Sequence, residues 1–276
     1  MSAQKIWFIT GAARGFGHIW AQAALARGDK VAATARDLKT LDSLQLQHGQ
    51  NVLPLQLDVT NREAVFKAVN HAHQHFGRLD VILSNAGYGF MGAIEEASIE
   101  DIRANFETNV FGTLSVIQAA LPLLRAQGSG HFLPVSSLAG LVAVPTAGIY
   151  EGAKFAVEAI AEALAAEVAA FGIKVTIIEP GAYATNFLSD ASIKQAVPNP
   201  IYNPVRDQLA AMLTPDMIGN PAATAAAILK VVDAREPPLR LILGSGLPMV
   251  RQVYAERIKT WEAWEDVSKA AQGVSA

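Results

Sequence analysis

The 276-residue sequence contains no cysteine, which excludes disulfides and thiolate metal sites and suits a reducing compartment. It has no basic run either. Its 22 Lys and Arg stand against 25 Asp and Glu, a formal net charge of -3 that argues against a nucleic-acid partner. Apolar runs are too short to span a bilayer, so no membrane segment is expected. The chain passes from Lys5 straight into Ile6-Trp7-Phe8-Ile9 without a basic region, a long apolar stretch and a cleavage site. No signal peptide is therefore expected, and the expected location is cytoplasmic. No linker divides the chain, so a single domain over 1–276 is expected.

What is present is alternation. Residues 6–10, 31–35, 52–57, 79–83, 131–135, 174–179 and 239–243 read as strands, with helical spacing of apolar residues between most of them. That order predicts an α/β fold, a doubly wound parallel sheet with helices on both faces. Such sheets bind ligands beyond the carboxyl ends of their strands. The unusual residues gather at those ends.

The first strand runs into Thr10-Gly11-Ala12-Ala13-Arg14-Gly15-Phe16-Gly17, followed by a helix. Glycines let a backbone bend sharply and approach a phosphate, and a helix N-terminus offers free N–H groups, so the turn suits a pyrophosphate. Where dinucleotide folds place an acid for the ribose of NAD, this chain has Thr34, with Arg36 two residues on. Arg36, with Arg14 in the glycine turn, favours NADP(H) over NAD(H), because arginine pairs with a 2′-phosphate; the alternative is that both are solvated surface residues. Asp58, before Val59, is placed to accept from an adenine amino group, and Asn85-Ala86-Gly87 offers small residues beside a bound ring. The run His71, His73, His75 is assigned to a polar helix surface, since positions two apart on a helix diverge, and no metal is expected.

Tyr150 and Lys154 lie four apart in a stretch read as a helix from Gly148 to Phe171, so they share a face. A nearby cation lowers a phenol's proton affinity, which would make Tyr150 an acid catalyst tuned by Lys154. Ser137, at the end of the fifth strand, is placed to hydrogen-bond the same substrate oxygen. Asn109 falls mid-helix, where asparagine is a poor helix former, so it is either functional or a structural bond to backbone.

Taken together, Thr10 to Gly17, Asp58-Val59, Asn85 to Gly87, Asn109, Ser137, Tyr150-x-x-x-Lys154 and Pro180-Gly181 with Thr185 resemble the classical short-chain dehydrogenase/reductase family over about residues 5–245. The resemblance implies that Tyr150 is the general acid/base, that Lys154 tunes it and binds the nicotinamide ribose, and that Ser137 positions the substrate oxygen. Asn109 would hold a water linking Lys154 to solvent, and Thr185 would contact the nicotinamide carboxamide. Two departures stand out: Ser84 replaces an asparagine, and Pro134 interrupts a strand that should be central, predicting an irregularity just before Ser137. The pattern is similar to the 17β-hydroxysteroid-dehydrogenase-like branch, whose members include reductases of unrelated carbonyls.

The expected reaction interconverts a ketone or aldehyde with its alcohol. A non-catalytic NADP-binding sensor and an epimerase without net redox stay open as alternatives. The segment 182–215 is expected to be a substrate loop. Its Phe187, Leu188, Ile201, Tyr202, Leu209, Met212 and Leu213, with Phe90, Met91, Leu141, Val142, Val144 and Ile149, would wall a pocket for a small apolar carbonyl or alcohol, unless they are ordinary core. Alanines 153, 156, 159, 163, 166 and 170 suit either packing on the sheet or the interface of a homodimer or homotetramer. A tail over about 248–270 reads as an amphipathic helix, with Val250, Tyr254, Ile258, Trp261 and Val267 near one face and Trp264 beside it, packing on the body or on a partner subunit.

Overall fold

The structure, a computed structural model, describes residues 4–185, 192–212, 214 and 217–273. Its first half runs β1 (Ile6–Ile9), α1 (Gly15–Ala26), β2 (Lys30–Ala35), α2 (Asp42–His48), β3 (Val52–Gln56), α3 (Arg62–Phe76), β4 (Val81–Ser84), β5 (Gly89–Met91), α4 (Ile99–Phe106) and α5 (Gly112–Gln127). The second half adds β6 (Gly130–Pro134), α6 (Gly148–Val168), β7 (Ile173–Val175), β8 (Ile177–Pro180), β9 (Ile193–Gln195), α7 (Asn203–Met212), α8 (Thr224–Asp233), β10 (Arg240–Leu243), α9 (Leu247–Ala263) and α10 (Glu265–Ala271).

Six parallel strands form the central sheet in the order β3-β2-β1-β4-β6-β7, the expected doubly wound arrangement. Both faces are covered, so the strands are largely apolar. Along β1, Ile6 and Phe8 enter the core on one face while Trp7 and Ile9 enter the other. Local signals set the helix ends. Asn61 caps α3 by accepting from the Ala64 N–H at 3.0 Å, and Gly77 at φ +82° ends it by donating to the His73 carbonyl at 2.8 Å. His71 and His75 of α3 are exposed.

Pro134 has the effect its chemistry demands. The Phe132 carbonyl accepts from Thr176 and the Ser136 N–H donates to Ile178 at 2.7 Å, so the donor that Pro134 lacks falls on that same side. The expected single strand at 174–179 breaks there into β7 and β8. The sheet nevertheless continues, because Val135 bridges Ile178 and β8 pairs in parallel with β10. Thr176, at the break, donates its hydroxyl to the Pro238 carbonyl at 2.7 Å.

Three expectations change. The segment after Thr185 contains β9, which pairs with β5 in a separate two-stranded sheet, and α7. Phe90 is fully buried core, while Phe187, Leu188 and Leu213 lie outside the described residues. Of the alanines on α6, Ala153 is buried and Ala156 half-buried, but Ala159, Ala163 and Ala166 face outward, as does Ala170 just beyond the helix, so most of that stripe does not pack on the sheet. The tail leaves the body. No residue of α9 or α10 is buried, and Tyr254, Ile258, Trp261, Trp264 and Val267 are exposed. Among the described residues no helix is long and apolar enough to cross a membrane.

Candidate active site

A cavity of about 960 Å³ opens at the carboxyl ends of the strands. Of the residues singled out in the sequence, Gly11, Ala13, Arg14, Gly15, Phe16, Arg36, Asp58, Val59, Asn85, Ala86, Gly87 and Thr185 line it. The turn between β1 and α1 is shaped for close approach: Gly11 and Gly15 have φ of +68° and +57°, conformations costly for other residues. Gly17 does not line the cavity, yet it has no room for a side chain, since a Cβ there would collide with the Gly11 carbonyl oxygen and meet the Asn85 amide nitrogen at 2.6 Å. Asn85 ties this turn to the end of β4, donating to the carbonyls of Thr10 and Gly11 at 3.0 and 3.2 Å. In return the Thr10 hydroxyl accepts from the N–H groups of Asn85 and Ala86 at 2.9 and 3.0 Å.

The end of β2 differs from expectation. Thr34 is buried and cannot meet a ribose; Ala35, Arg36 and Asp37 line the cavity. The Asp37 carboxylate caps its own turn by accepting from the Lys39 N–H at 3.1 Å. Asp58 accepts from the Thr60 N–H and hydroxyl at 3.0 and 2.8 Å.

Ser137, Tyr150 and Lys154 meet at the end of β6. The Tyr150 phenol lies close enough to the Ser137 side chain to be influenced by it, and the Ser137 hydroxyl donates to the Pro180 carbonyl at 3.3 Å, which fixes Pro180-Gly181 beside it. The Lys154 ammonium is buried, 5.7 Å from the centre of the Tyr150 ring, and donates to the Val135 carbonyl at 2.9 Å. The expected downward tuning of the phenol is not what this arrangement gives: burial pushes Tyr150 above its ordinary range, the Ser137 hydrogen bond opposes that, and Glu151 adds to it. Burial pulls Lys154 down to about 8, with Glu158 opposing.

Asn109 sits in a wide helical turn, Glu107–Phe111, that separates α4 from α5. Its amide donates to the carbonyls of Tyr88 and Asn105 at 3.1 and 3.0 Å. Its oxygen points instead toward Gly87, where an added Cβ would stand 2.5 Å from that oxygen and 3.6 Å from the Lys154 nitrogen. A buried acceptor and a buried cation therefore flank the same glycine.

Several cavity residues gave no sequence signal. Tyr88, Ser192, Ile193 and Lys194 arrive through the three-residue strands β5 and β9, too short to show periodicity, and Lys194 is held by an ion pair with Asp101. Thr146, just before α6, is the one non-glycine residue with positive φ among the described residues, at +63°, and its carbonyl accepts from the Gly92 N–H at 2.7 Å. The described apolar residues expected to wall a substrate pocket do not line this cavity. Among the described residues there is no group of His, Cys, Asp or Glu arranged for a metal.

The glycine cradle, the two arginines and the cavity beside a hydroxyl pair fit a dinucleotide in shape and charge. Comparison with known proteins agrees. The family profile described as short chain dehydrogenase matches residues 5–196. Oxidoreductase BOA17 of Botryotinia fuckeliana is 40% identical over 272 residues, covering 97% of this chain and 99% of its own. The 3-ketodihydrosphingosine reductase of Bacteroides thetaiotaomicron is 35% identical, with 93% of each chain covered. A short-chain dehydrogenase from Streptomyces avermitilis superposes with a TM-score of 0.89 at 36% identity, covering 98% of this chain and all of its own. An alcohol dehydrogenase from Thermococcus sibiricus complexed with 5-hydroxy-NADP has a TM-score of 0.72 at 27% identity, covering 88% and 97% of the two chains. A Burkholderia phymatum relative in complex with NAD reaches 0.77 at 26%, covering 90% and 92%.

Proposed function

The chain belongs to the short-chain dehydrogenase family, and from that premise we propose that it is an NADP(H)-dependent oxidoreductase interconverting a ketone or aldehyde with the corresponding alcohol. One observation carries the reading: Ser137 and Tyr150 come together, with the Lys154 cation beneath the Tyr150 ring, at the strand ends where the glycine cradle also opens. When bound, the nicotinamide group supplies or accepts the hydride.

This chain's residues do the rest. The turn from Gly11 to Gly17 would hold the pyrophosphate, Asp58 and Val59 the adenine, and Asn85 to Gly87 the ring edge. Pro180, Gly181 and Thr185 would hold the nicotinamide end, and Lys154 its ribose. Arg14 and Arg36 would meet a 2′-phosphate, and this charge favours NADP(H), although solved relatives are divided between NADP and NAD. Ser137 donates to the substrate oxygen and fixes its position. Tyr150 gives its phenolic proton to that oxygen as the alcohol forms and takes it back in the reverse direction. An alkoxide is a far stronger base than a phenolate, so a Tyr150 held protonated by burial is a competent donor. Lys154 stabilises the resulting phenolate, and Asn109 holds the path by which the proton is restored.

The substrate class is a small apolar carbonyl or alcohol. A relative whose name is that of a ketone reductase supports the carbonyl, and a place in the 17β-hydroxysteroid-dehydrogenase-like branch fits it without requiring a steroid. A cytoplasmic setting accords with the absence of cysteine. The test is consumption of reduced nicotinamide by the purified chain with NADPH or NADH and a panel of aromatic, aliphatic and steroid ketones and aldehydes. Turnover faster with NADPH and yielding the alcohol supports the reading; binding of NADPH with no turnover of any member would favour a sensor.

A further inference from the structure

The tail is unusual because it is ordered helix that covers none of its own aromatic surface. Along α9, its junction with α10 at Trp264, and α10, the residues Tyr254, Ile258, Trp261, Trp264 and Val267 recur at three- and four-residue spacing and are exposed, with Trp261 at 67% and Trp264 at 62%. Monomeric proteins rarely leave contiguous apolar surface of this kind in water. Its attachment to the body is slight, and includes the Arg257 guanidinium donating to the Leu141 carbonyl at 3.3 Å and lying over Phe155 at 5.7 Å.

The charges along these two helices are divided by sign. The half from Leu247 to Lys259 carries Arg251, Arg257 and Lys259 against Glu256, a net of +2, and the half from Thr260 to Gly273 carries Glu262, Glu265 and Asp266 against Lys269, a net of -2. Glu256 and Lys259 approach each other at 4.0 Å, as do Glu265 and Lys269 at 3.0 Å. That leaves Arg251 at one end, and Glu262 with Asp266 at the other, without an ion pair among the described residues. A strip with a basic half, an acidic half and an apolar row, Tyr254, Ile258 and Trp261, astride their junction is complementary to itself when turned end for end. Two-fold symmetry requires that property of an interface between identical chains.

We infer that the tail is a self-association surface, its occupant the antiparallel tail of a second copy of this chain, with the basic half of each against the acidic half of the other and the tryptophans between. In water the apolar strip supplies affinity and the charges fix the antiparallel register.

The test is mass in solution by light scattering after size exclusion. The native chain is expected to run as an even-numbered assembly, and Trp261→Ser with Trp264→Ser to run at half its mass with an unchanged circular dichroism spectrum. Arg251→Glu with Lys259→Glu is expected to halve the mass through repulsion between two acidic halves, and Glu262→Lys with Asp266→Lys through two basic halves. Mixing those two charge variants restores the full mass, because each then meets its opposite. A monomeric native chain, a tryptophan variant of native mass, or a mixture that fails to recover would each overturn the inference. Binding of a chain that is monomeric in solution to anionic phospholipid vesicles would give the tail to a membrane surface instead.

Discussion

The Lys154 ammonium donates to the Val135 carbonyl at 2.9 Å, so the cation four residues along from Tyr150 is fixed to the end of β6 and not to the phenol. Burial lowers its proton affinity to about 8, with Glu158 opposing. Lys154 is therefore charged below that pH and neutral above it. If the charge supports catalysis, kcat/KM falls as pH rises through about 8, with the slope of one proton. Lys154→Arg, which cannot deprotonate, keeps residual activity and loses that limb. A pH–rate profile without an inflection near that value contradicts the assignment.

Glu151 predicts a pH dependence of stability. Its carboxyl is buried, one oxygen accepts from the Val144 N–H at 2.7 Å, and burial raises it from 4.5 to about 7. Between those values the folded chain holds a proton that the unfolded chain has released. Its contribution is complete below pH 4.5 and is lost as pH rises through about 7. Glu151→Gln keeps the acceptor for Val144 and removes the titration, so the fall in Tm of the native protein across this range is expected to be shallower in the variant. Parallel curves for the two proteins would exclude Glu151 as the cause.

Cofactor preference rests on Arg36, which is exposed at the cavity. A charge-assisted pair with a 2′-phosphate is worth enough that Arg36→Asp lowers the ratio of NADPH to NADH efficiency by about 10–100-fold. Steady-state kinetics with both cofactors measure it. An unchanged ratio would remove the electrostatic argument for NADP(H).

The glycine turn makes a steric prediction. In Gly17→Ala the new methyl meets the Asn85 amide nitrogen at 2.6 Å as well as the Gly11 carbonyl, so the cradle must shift at a cost of about 1–3 kcal/mol. Both Tm and NADPH affinity fall. Gly152→Ala in α6 is the control: its nearest neighbour outside the helix backbone is a Phe106 carbon at 3.7 Å, and alanine favours helix by about 1 kcal/mol, so Tm holds or rises. Equal losses in the two variants, followed by thermal unfolding and cofactor fluorescence, would show that the turn is not specially constrained.

The sheet and the cradle were legible because they rest on patterns that local physics writes into sequence: apolar runs for strands buried on two faces, and glycines where φ must be positive. Pro134 announced an irregularity, and β7 and β8 part opposite it. What sequence could not show depends on residues brought together from afar. Thr34 and Arg36 are two apart and would share a strand face; Thr34 is buried because it lies inside β2, while Arg36 stands past the end of the strand and is exposed. Tyr88 and Lys194 reach the cavity through a strand pair of three residues each, and the direction of Lys154 toward Val135 is set by the end of a strand nineteen residues away. The tail's spacing suggested one amphipathic helix, and two helices, α9 and α10, stand there; that their aromatic residues stay uncovered is a tertiary fact.

The most direct measurement compares native protein with Tyr150→Phe, using consumption of NADPH with a carbonyl substrate and NADPH affinity by fluorescence on the same samples. The account predicts turnover lowered by about 10²–10⁴-fold or more in the variant, with affinity little changed, because the phenolic proton is removed while the cradle is left intact. A variant that turns over at the native rate would contradict the assignment of Tyr150 as the proton donor.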